Sequence, residues 1–144
     1  MGGMLRLAWL WVRRRIAAGV VDAGYDDLSL AHIGVFRSGT IEGRRPIELA
    51  EDMQVTKQSV NELLGHLERC GYLVREPDPS DSRARVIRLT ARGRQLERTV
   101  AANAKAAEDE IAELLGRRRF GELRDALRDL LELVGRPQES QPHD

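Results

Sequence analysis

The most regular pattern of apolar and polar positions lies between residues 46 and 69, where two helical periodicities flank a short turn. Pro46 suits the first position of a helix, because a residue there needs no hydrogen-bonding N–H. After a turn at Gln54 and Val55, Thr56 can cap a second helix. Apolar residues recur at helical spacing in both segments: Ile47, Leu49, Ala50 and Met53, then Val60, Leu63, Leu64 and Leu67. The pattern predicts a helix-turn-helix.

A strand pair follows this helix pair. Gly71 can end the second helix in a left-handed conformation. Residues 72–76 and 85–89 read as strands, joined by a turn-rich tip at residues 77–82. The order predicts a winged helix-turn-helix, which is a DNA-binding architecture.

Apolar helical stripes also mark both ends of the chain. The first helix is apolar on more than one side, and after a cap at Thr90 two further helices are expected, separated by residues 116–119. These helices have more apolar surface than a winged domain can bury, which predicts a homodimer; an intramolecular bundle is the alternative. We therefore expect a mainly α fold with a small β-wing. Residues 4–37 and 91–135 would form the dimerisation region, residues 38–90 the DNA-binding domain and residues 136–144 a disordered tail.

Candidate DNA-binding side chains lie in the first two turns of the second helix, the part that reaches base edges in this architecture. Lys57 can pair with phosphate or guanine, Gln58 and Asn61 can read adenine, and Ser59 can bond to either phosphate or base. In the wing, Arg83 can enter the minor groove. Asp81 either holds its guanidinium by a salt bridge or caps the turn. The alternative is a solvated helix face followed by an ordinary surface hairpin.

Composition narrows the function. The formal net charge is zero, yet residues 75–94 hold six arginines against three acidic residues, so positive charge concentrates at the wing. A single cysteine excludes an internal disulfide, and no apolar stretch is long enough to span a membrane, so we expect a cytoplasmic protein. Arginine outnumbers lysine twenty-one to two, which suggests a bacterial source with a GC-rich genome.

Catalytic motifs are missing from the sequence. The three histidines are too scattered for a helical zinc pair, and no phosphate loop or nucleophile elbow is present. We expect no catalytic residue, no metal and no cofactor. Cys70 fits a packing position, with oxidant sensing as the alternative.

The stretch from Ile47 to Gly93 resembles the MarR family of bacterial transcription regulators. Its motifs are Thr56-Lys57-Gln58-Ser59-Val60, Leu67-Glu68-Arg69-Cys70-Gly71-Tyr72, Asp78-Pro79-Ser80-Asp81-Ser82-Arg83 and Leu89-Thr90-Ala91-Arg92-Gly93. The resemblance implies that one group of residues faces the major groove: Thr56, Lys57, Gln58, Ser59 and Asn61. It implies that Arg83 enters the minor groove, positioned by Asp81, and that Arg75 and Arg85 contact phosphate or flank the wing, as does Arg88.

The same resemblance implies a homodimeric repressor on a palindromic site in double-stranded DNA, with half-sites roughly 34 Å apart. It also implies release by a small aromatic or phenolic ligand. The candidate pocket residues are Trp9, Trp11, Arg15 and His32; the alternative is that the tryptophans form dimer core. Two other functions stay open: a winged-helix module that binds protein, and a small enzyme using the interdomain crevice.

Overall fold

The computed structural model describes residues 1–134, without the side chain of Ser38, so the predicted tail at 136–144 lies outside the described residues. It contains six α-helices, one short 3-10 helix and one hairpin among these residues. In chain order they are α1 (Gly2–Asp22), α2 (Leu30–Val35), the 3-10 helix (Phe36–Ser38), α3 (Pro46–Met53), α4 (Lys57–Arg69), β1 (Leu73–Asp78), β2 (Asp81–Leu89), α5 (Ala91–Leu115) and α6 (Arg117–Val134). The predicted fold class is confirmed. The chain divides into two compact units at residue 105.

The helix-turn-helix begins and ends at the residues that the sequence pattern indicates. Pro46 is the first residue of α3, and the N–H of Arg45 donates to the Glu48 carboxylate at 2.8 Å. Gln54 ends this helix with a left-handed φ of 54°. The Thr56 hydroxyl caps α4 by accepting from the Ser59 N–H at 3.1 Å, and Gly71, with a φ of +79°, turns the chain toward β1.

The wing strands are longer than the predicted segments 72–76 and 85–89. They pair antiparallel from Leu73 opposite Leu89, with an irregularity between Pro77 and Asp78, where proline lacks an N–H for the ladder. The tip shrinks to a tight turn, because the Asp78 carboxylate accepts from the Ser80 N–H at 2.8 Å and from its hydroxyl at 2.7 Å. Arg83 therefore lies on a strand, not in a loop.

Tyr72 connects three segments of the first unit. Its ring is fully buried, and its hydroxyl donates to the Asp27 carboxylate at 2.6 Å. The Arg92 guanidinium lies 4.3 Å from the ring centre, pairs with Asp27 at 3.1 Å and donates to the Cys70 carbonyl at 2.6 Å. Burial acts to raise the pKa of Asp27, but the Tyr72 hydrogen bond and the charge of Arg92 hold it below its usual value. The loop after α1, the end of α4 and the start of α5 are thus joined.

Two glycines allow helices to approach closely in the first unit. A Cβ at Gly93 would collide with the Tyr72 carbonyl oxygen, so only glycine lets the first turn of α5 rest on this backbone. A Cβ at Gly19 would meet the Asn103 side chain, so α1 and α5 are also in close contact. Thr90 caps α5 as predicted, because its hydroxyl accepts from the Gly93 N–H at 3.1 Å.

The second unit contains the end of α5 and all of α6. Gly116 alone, with a φ of +82°, separates these helices, a shorter break than the predicted 116–119. No residue of α6 is buried, and its apolar side chains Leu123, Leu127 and Leu130 are 43%, 37% and 44% exposed. Across residues 1–134, no helix combines the length and apolar character that crossing a membrane requires.

Candidate nucleic-acid interface

The first turns of α4 present polar side chains to solvent. Lys57, Gln58 and Ser59 are exposed and Asn61 is half-exposed. The Thr56 hydroxyl donates to the Ser59 hydroxyl at 2.8 Å, so these two side chains brace the start of the helix. The Gln58 amide lies 3.4 Å from Glu62 at the limit of a hydrogen bond. Within the described chain, the side chains of Lys57 and Asn61 have no such partner, so they are available to an outside ligand.

A basic groove runs between α4, the start of α3 and the wing. Its volume is about 590 Å³. Five of its lining residues are cationic and one is anionic: Arg45, Lys57, Arg75, Arg83 and Arg85, with Glu68. Such a groove suits a polyanion like a nucleic-acid backbone.

The arginines of this groove have different surroundings. Arg83 and Arg85 are exposed, and their guanidinium groups make no hydrogen bond or salt bridge to the residues described. Arg75 instead donates from its Nε and Nη2 to the Glu68 carboxylate at 3.3 and 2.9 Å, and its backbone N–H donates at 3.0 Å. These bonds hold the pKa of Glu68 below its usual value. Arg75 therefore fixes β1 to α4 and forms a wall of the groove.

Asp81 caps the turn of the wing. Its carboxylate accepts from the backbone N–H of Arg83 at 3.0 Å. Of the two roles left open for this residue, the structure shows the backbone cap, and the guanidinium of Arg83 is not held by it. Asp81 thereby orders the backbone of Arg83 while leaving its charge unpaired.

A clamp that sequence patterns did not indicate joins the wing tip to α3. The Arg45 guanidinium donates to Asp78 through Nε at 2.7 Å and through Nη2 at 2.6 Å. The bonds from Ser80 and Arg45 lower the pKa of Asp78 to about 2, so the clamp stays charged in mild acid. The sequence Asp78-Pro79-Ser80 could have indicated the turn itself. Arg45 lies 33 positions earlier and carries no local signal for the pairing.

A second cavity, of about 840 Å³, lies beside α1, α2 and α4. Of the four residues predicted for a ligand pocket, Trp9 and His32 line this cavity and Trp11 and Arg15 do not. Arg13 takes the position expected for Arg15, because it follows Trp9 by about one helical turn whereas residues two positions away point to another face. The Arg37 guanidinium lies 4.6 Å from the Trp9 ring centre.

Two arginines that line this cavity have buried atoms without a hydrogen-bond partner. Nε of Arg13 and both Nε and Nη1 of Arg37 are buried without a hydrogen-bond partner. Burial, and then the charge of Arg13, lower the pKa of Arg37. Buried guanidinium atoms without a partner favour an anion in this cavity. Neither arginine stands out in the sequence, because nothing near them in the chain marks a ligand.

Comparison with known proteins shows similarity to one protein family. The model of the MarR family matches residues 28–84, from just before α2 to Ala84 in β2. The repressor CouR, solved with a 23-mer DNA duplex, is 28% identical over 94% of this chain and 92% of its own, with a TM-score of 0.71. The chain is therefore similar to the MarR family, whose model covers its winged helix-turn-helix. No match was found among curated proteins.

Other solved structures agree with this assignment. The Mycobacterium tuberculosis MarR-family protein Rv2887, in complex with salicylic acid, is 28% identical over 90% of this chain and 95% of its own, with a TM-score of 0.69. CouR from Rhodococcus jostii RHA1 bound to p-coumaroyl-CoA is 25% identical over 97% of this chain and 94% of its own, with a TM-score of 0.73. The chain is thus similar, along most of its length, to transcription regulators of the MarR family.

The clamp between Arg45 and Asp78 can be tested by substitution. Asp78→Ala removes the acceptor of Ser80 and Arg45, so the wing tip should lose order while α4 keeps its own cap. We expect the Ser80 amide to exchange with solvent about tenfold faster or more, and DNA affinity to fall, with α4 amides unchanged.

Glu76→Ala is the matched control, because it removes the same charge from the same hairpin and Glu76 makes only a 3.6 Å contact with Arg88. Hydrogen exchange and DNA titration check both variants. Equal behaviour of the two would show that the clamp does not position the wing.

Proposed function

We propose that this regulator is a homodimeric repressor that binds an inverted repeat in double-stranded DNA and releases it when a small aromatic acid binds. The observation that carries the DNA-binding part is the set of three cations without protein partners, Lys57 on α4 and Arg83 and Arg85 on β2, which line one groove. Cations needed for the fold are paired, as Arg45 and Arg75 are. Within this groove, the unpaired Lys57, Arg83 and Arg85 suit an external polyanion.

The two elements of the groove suit different parts of a duplex. The exposed first turns of α4 fit the major groove, with Gln58 and Asn61 as base-reading amides, Thr56 and Ser59 beside them and Lys57 toward phosphate. Arg83 stands on the wing with its backbone fixed by Asp81 and fits the narrower minor groove. Arg85, and Arg75 behind it, would flank the phosphate backbone. The protein-binding alternative gives no reason for unpaired cations on both elements.

Apolar surface on two separate helices supports dimerisation. On α1, Met4, Leu5 and Leu7 are 69%, 46% and 59% exposed. On α6 no residue is buried, although its leucines follow a helical stripe. Surface of this kind on a soluble chain marks an interface. The dimerisation region would comprise residues 4–37 and 91–135, with residues 38–90 as the DNA-binding domain.

Two-fold symmetry of such a dimer would place α4 of each copy, its recognition helix, in successive major grooves, which requires an inverted repeat. Repression follows from occupation of that site, and CouR, the relative solved with DNA, is described as a repressor.

The second cavity supports the ligand response. The unpaired atoms of Arg13 and Arg37 suit a carboxylate, and Trp9 offers an aromatic wall. Its lining also includes Ser59 and Glu62 of α4, so an occupant would contact the recognition helix. Relatives have been solved with salicylic acid and with p-coumaroyl-CoA.

Arg83→Ala tests DNA recognition. Loss of the minor-groove cation should lower affinity for a selected DNA site by about 1–3 kcal/mol, measured by fluorescence anisotropy at fixed salt. Arg118→Ala removes the same charge from the exposed face of α6 and should leave the affinity unchanged. Unchanged affinity of Arg83→Ala would remove the wing from the interface, and a protein that binds no DNA would favour the protein-interaction module.

Arg13→Gln tests the ligand site. Salicylate should change tryptophan fluorescence in a saturable way, and loss of the Arg13 charge should weaken its binding about tenfold, the effect of losing one charged contact. Arg15→Gln removes the same charge from the same helix outside the cavity lining and should bind salicylate normally. Absence of saturation, or equal weakening in both variants, would contradict the proposed site.

A further inference from the structure

Two histidines stack where α2 meets the recognition helix. The rings of His32 on α2 and His66 on α4 have centres 4.0 Å apart and an interplanar angle of 16°. Both residues line the second cavity. Face-to-face stacking at this distance suits two neutral imidazoles, because two imidazolium rings would repel each other.

Hydrogen bonds orient both rings and fix the neutral form of His32. Nδ1 of His32 accepts from the Ser29 N–H at 3.0 Å and lies 2.9 Å from the Ser29 hydroxyl, so this nitrogen carries no proton. The bond to Ser29 closes the capping box that begins α2. Nε2 of His66 donates to the Asp27 carbonyl at 2.8 Å, with the Cys70 thiol 3.5 Å away. A proton on Nδ1 of His32 would therefore break the bond from the Ser29 N–H, which is one of the two bonds of the capping box of α2.

The charges around His32 come from every helix packed against α2. The cationic groups are Arg13 on α1, Arg37 in the 3-10 helix and Arg69 on α4; the acidic groups are Asp52 on α3, Glu62 on α4 and Asp27 before α2; His66 completes the set. The three cations oppose a further positive charge on His32, whereas the carboxylates favour it. Asp27 favours it less than a free carboxylate would, because it already pairs with Arg92. Burial, and then His66, lower the pKa of His32, while Asp27 acts to raise it.

We propose that the His32–His66 stack is a proton switch, in which mild acid loosens α2 from the recognition helix and lowers DNA affinity. The proposal rests on the DNA-binding function above and adds a second input at the same cavity. A bound carboxylate near Arg13 and Arg37 would favour the protonated ring, so ligand and proton would reinforce each other.

The direction of the effect follows from proton linkage. The unfolded chain takes up a proton at the ordinary histidine pKa of 6.5, whereas folded His32 does so at lower pH. Stability from the neutral stack is therefore complete above pH 6.5. It decreases as the pH falls from 6.5 toward the lowered pKa of His32.

DNA titrations at pH 7.5, 6.5 and 5.5 at constant ionic strength test the switch. Affinity of the wild-type chain should fall on the order of tenfold across this range. His32→Gln keeps a neutral acceptor for the Ser29 N–H and should bind DNA with little dependence on pH. His143→Gln, outside the described residues, should behave as wild type.

Two NMR measurements make the outcome independent of the binding assay. The pKa of His32 should be lower with DNA bound than without, and in the free protein the protection of the Ser29 amide should fall as His32 is protonated. The switch is overturned if His32→Gln keeps the wild-type pH dependence, or if Ser29 protection does not follow His32. A chain that binds no DNA at pH 7.5 would contradict the proposed function. The Ser29 measurement would still show whether protonation of His32 opens the capping box of α2.

Discussion

The buried ring of Tyr72 is the constraint on which the arrangement of the first unit depends. It stands directly after the recognition helix, and its hydroxyl, ring face and carbonyl bind Asp27, Arg92 and Thr90 respectively. The end of α4 is thus held against the loop after α1 and the start of α5. The hydroxyl is buried and has one charged acceptor, so this junction links both segments directly to the end of α4.

The cations of the basic groove have two different roles. Arg45 and Arg75 are paired with Asp78 and Glu68, and these pairs join the wing to α3 and α4. Rigid placement of the wing reduces the ordering cost of binding, which unpaired charges alone would not do. In the second cavity, by contrast, the buried guanidinium atoms have no hydrogen-bond partner, which suits an anionic ligand.

Local patterns predicted the helix-turn-helix, because Pro46, Thr56 and Gly71 act within one or two turns of their own positions. The wing strands were predicted too short, since the side chain of Asp78 closes the turn more tightly than composition indicates. Long-range pairs could not be predicted: Arg45 with Asp78, Tyr72 with Asp27 and His32 with His66 join residues far apart in the chain. The sequence predicts Arg15 in the ligand pocket, whereas Arg13 lines the second cavity. The sequence does not reveal which face of a helix that is apolar on more than one side meets α2.

The central claim is that two copies of this chain read DNA as a symmetric pair. In the proposed dimer, α4 and the wing of each copy would read one half-site, and the exposed apolar side chains of α1 and α6 would pair the two copies. Selection of bound fragments from a random DNA pool tests this claim most directly. The account predicts an inverted repeat whose half-site centres lie about one helical turn, roughly 34 Å, apart. A single asymmetric site, or no enrichment at all, would contradict it.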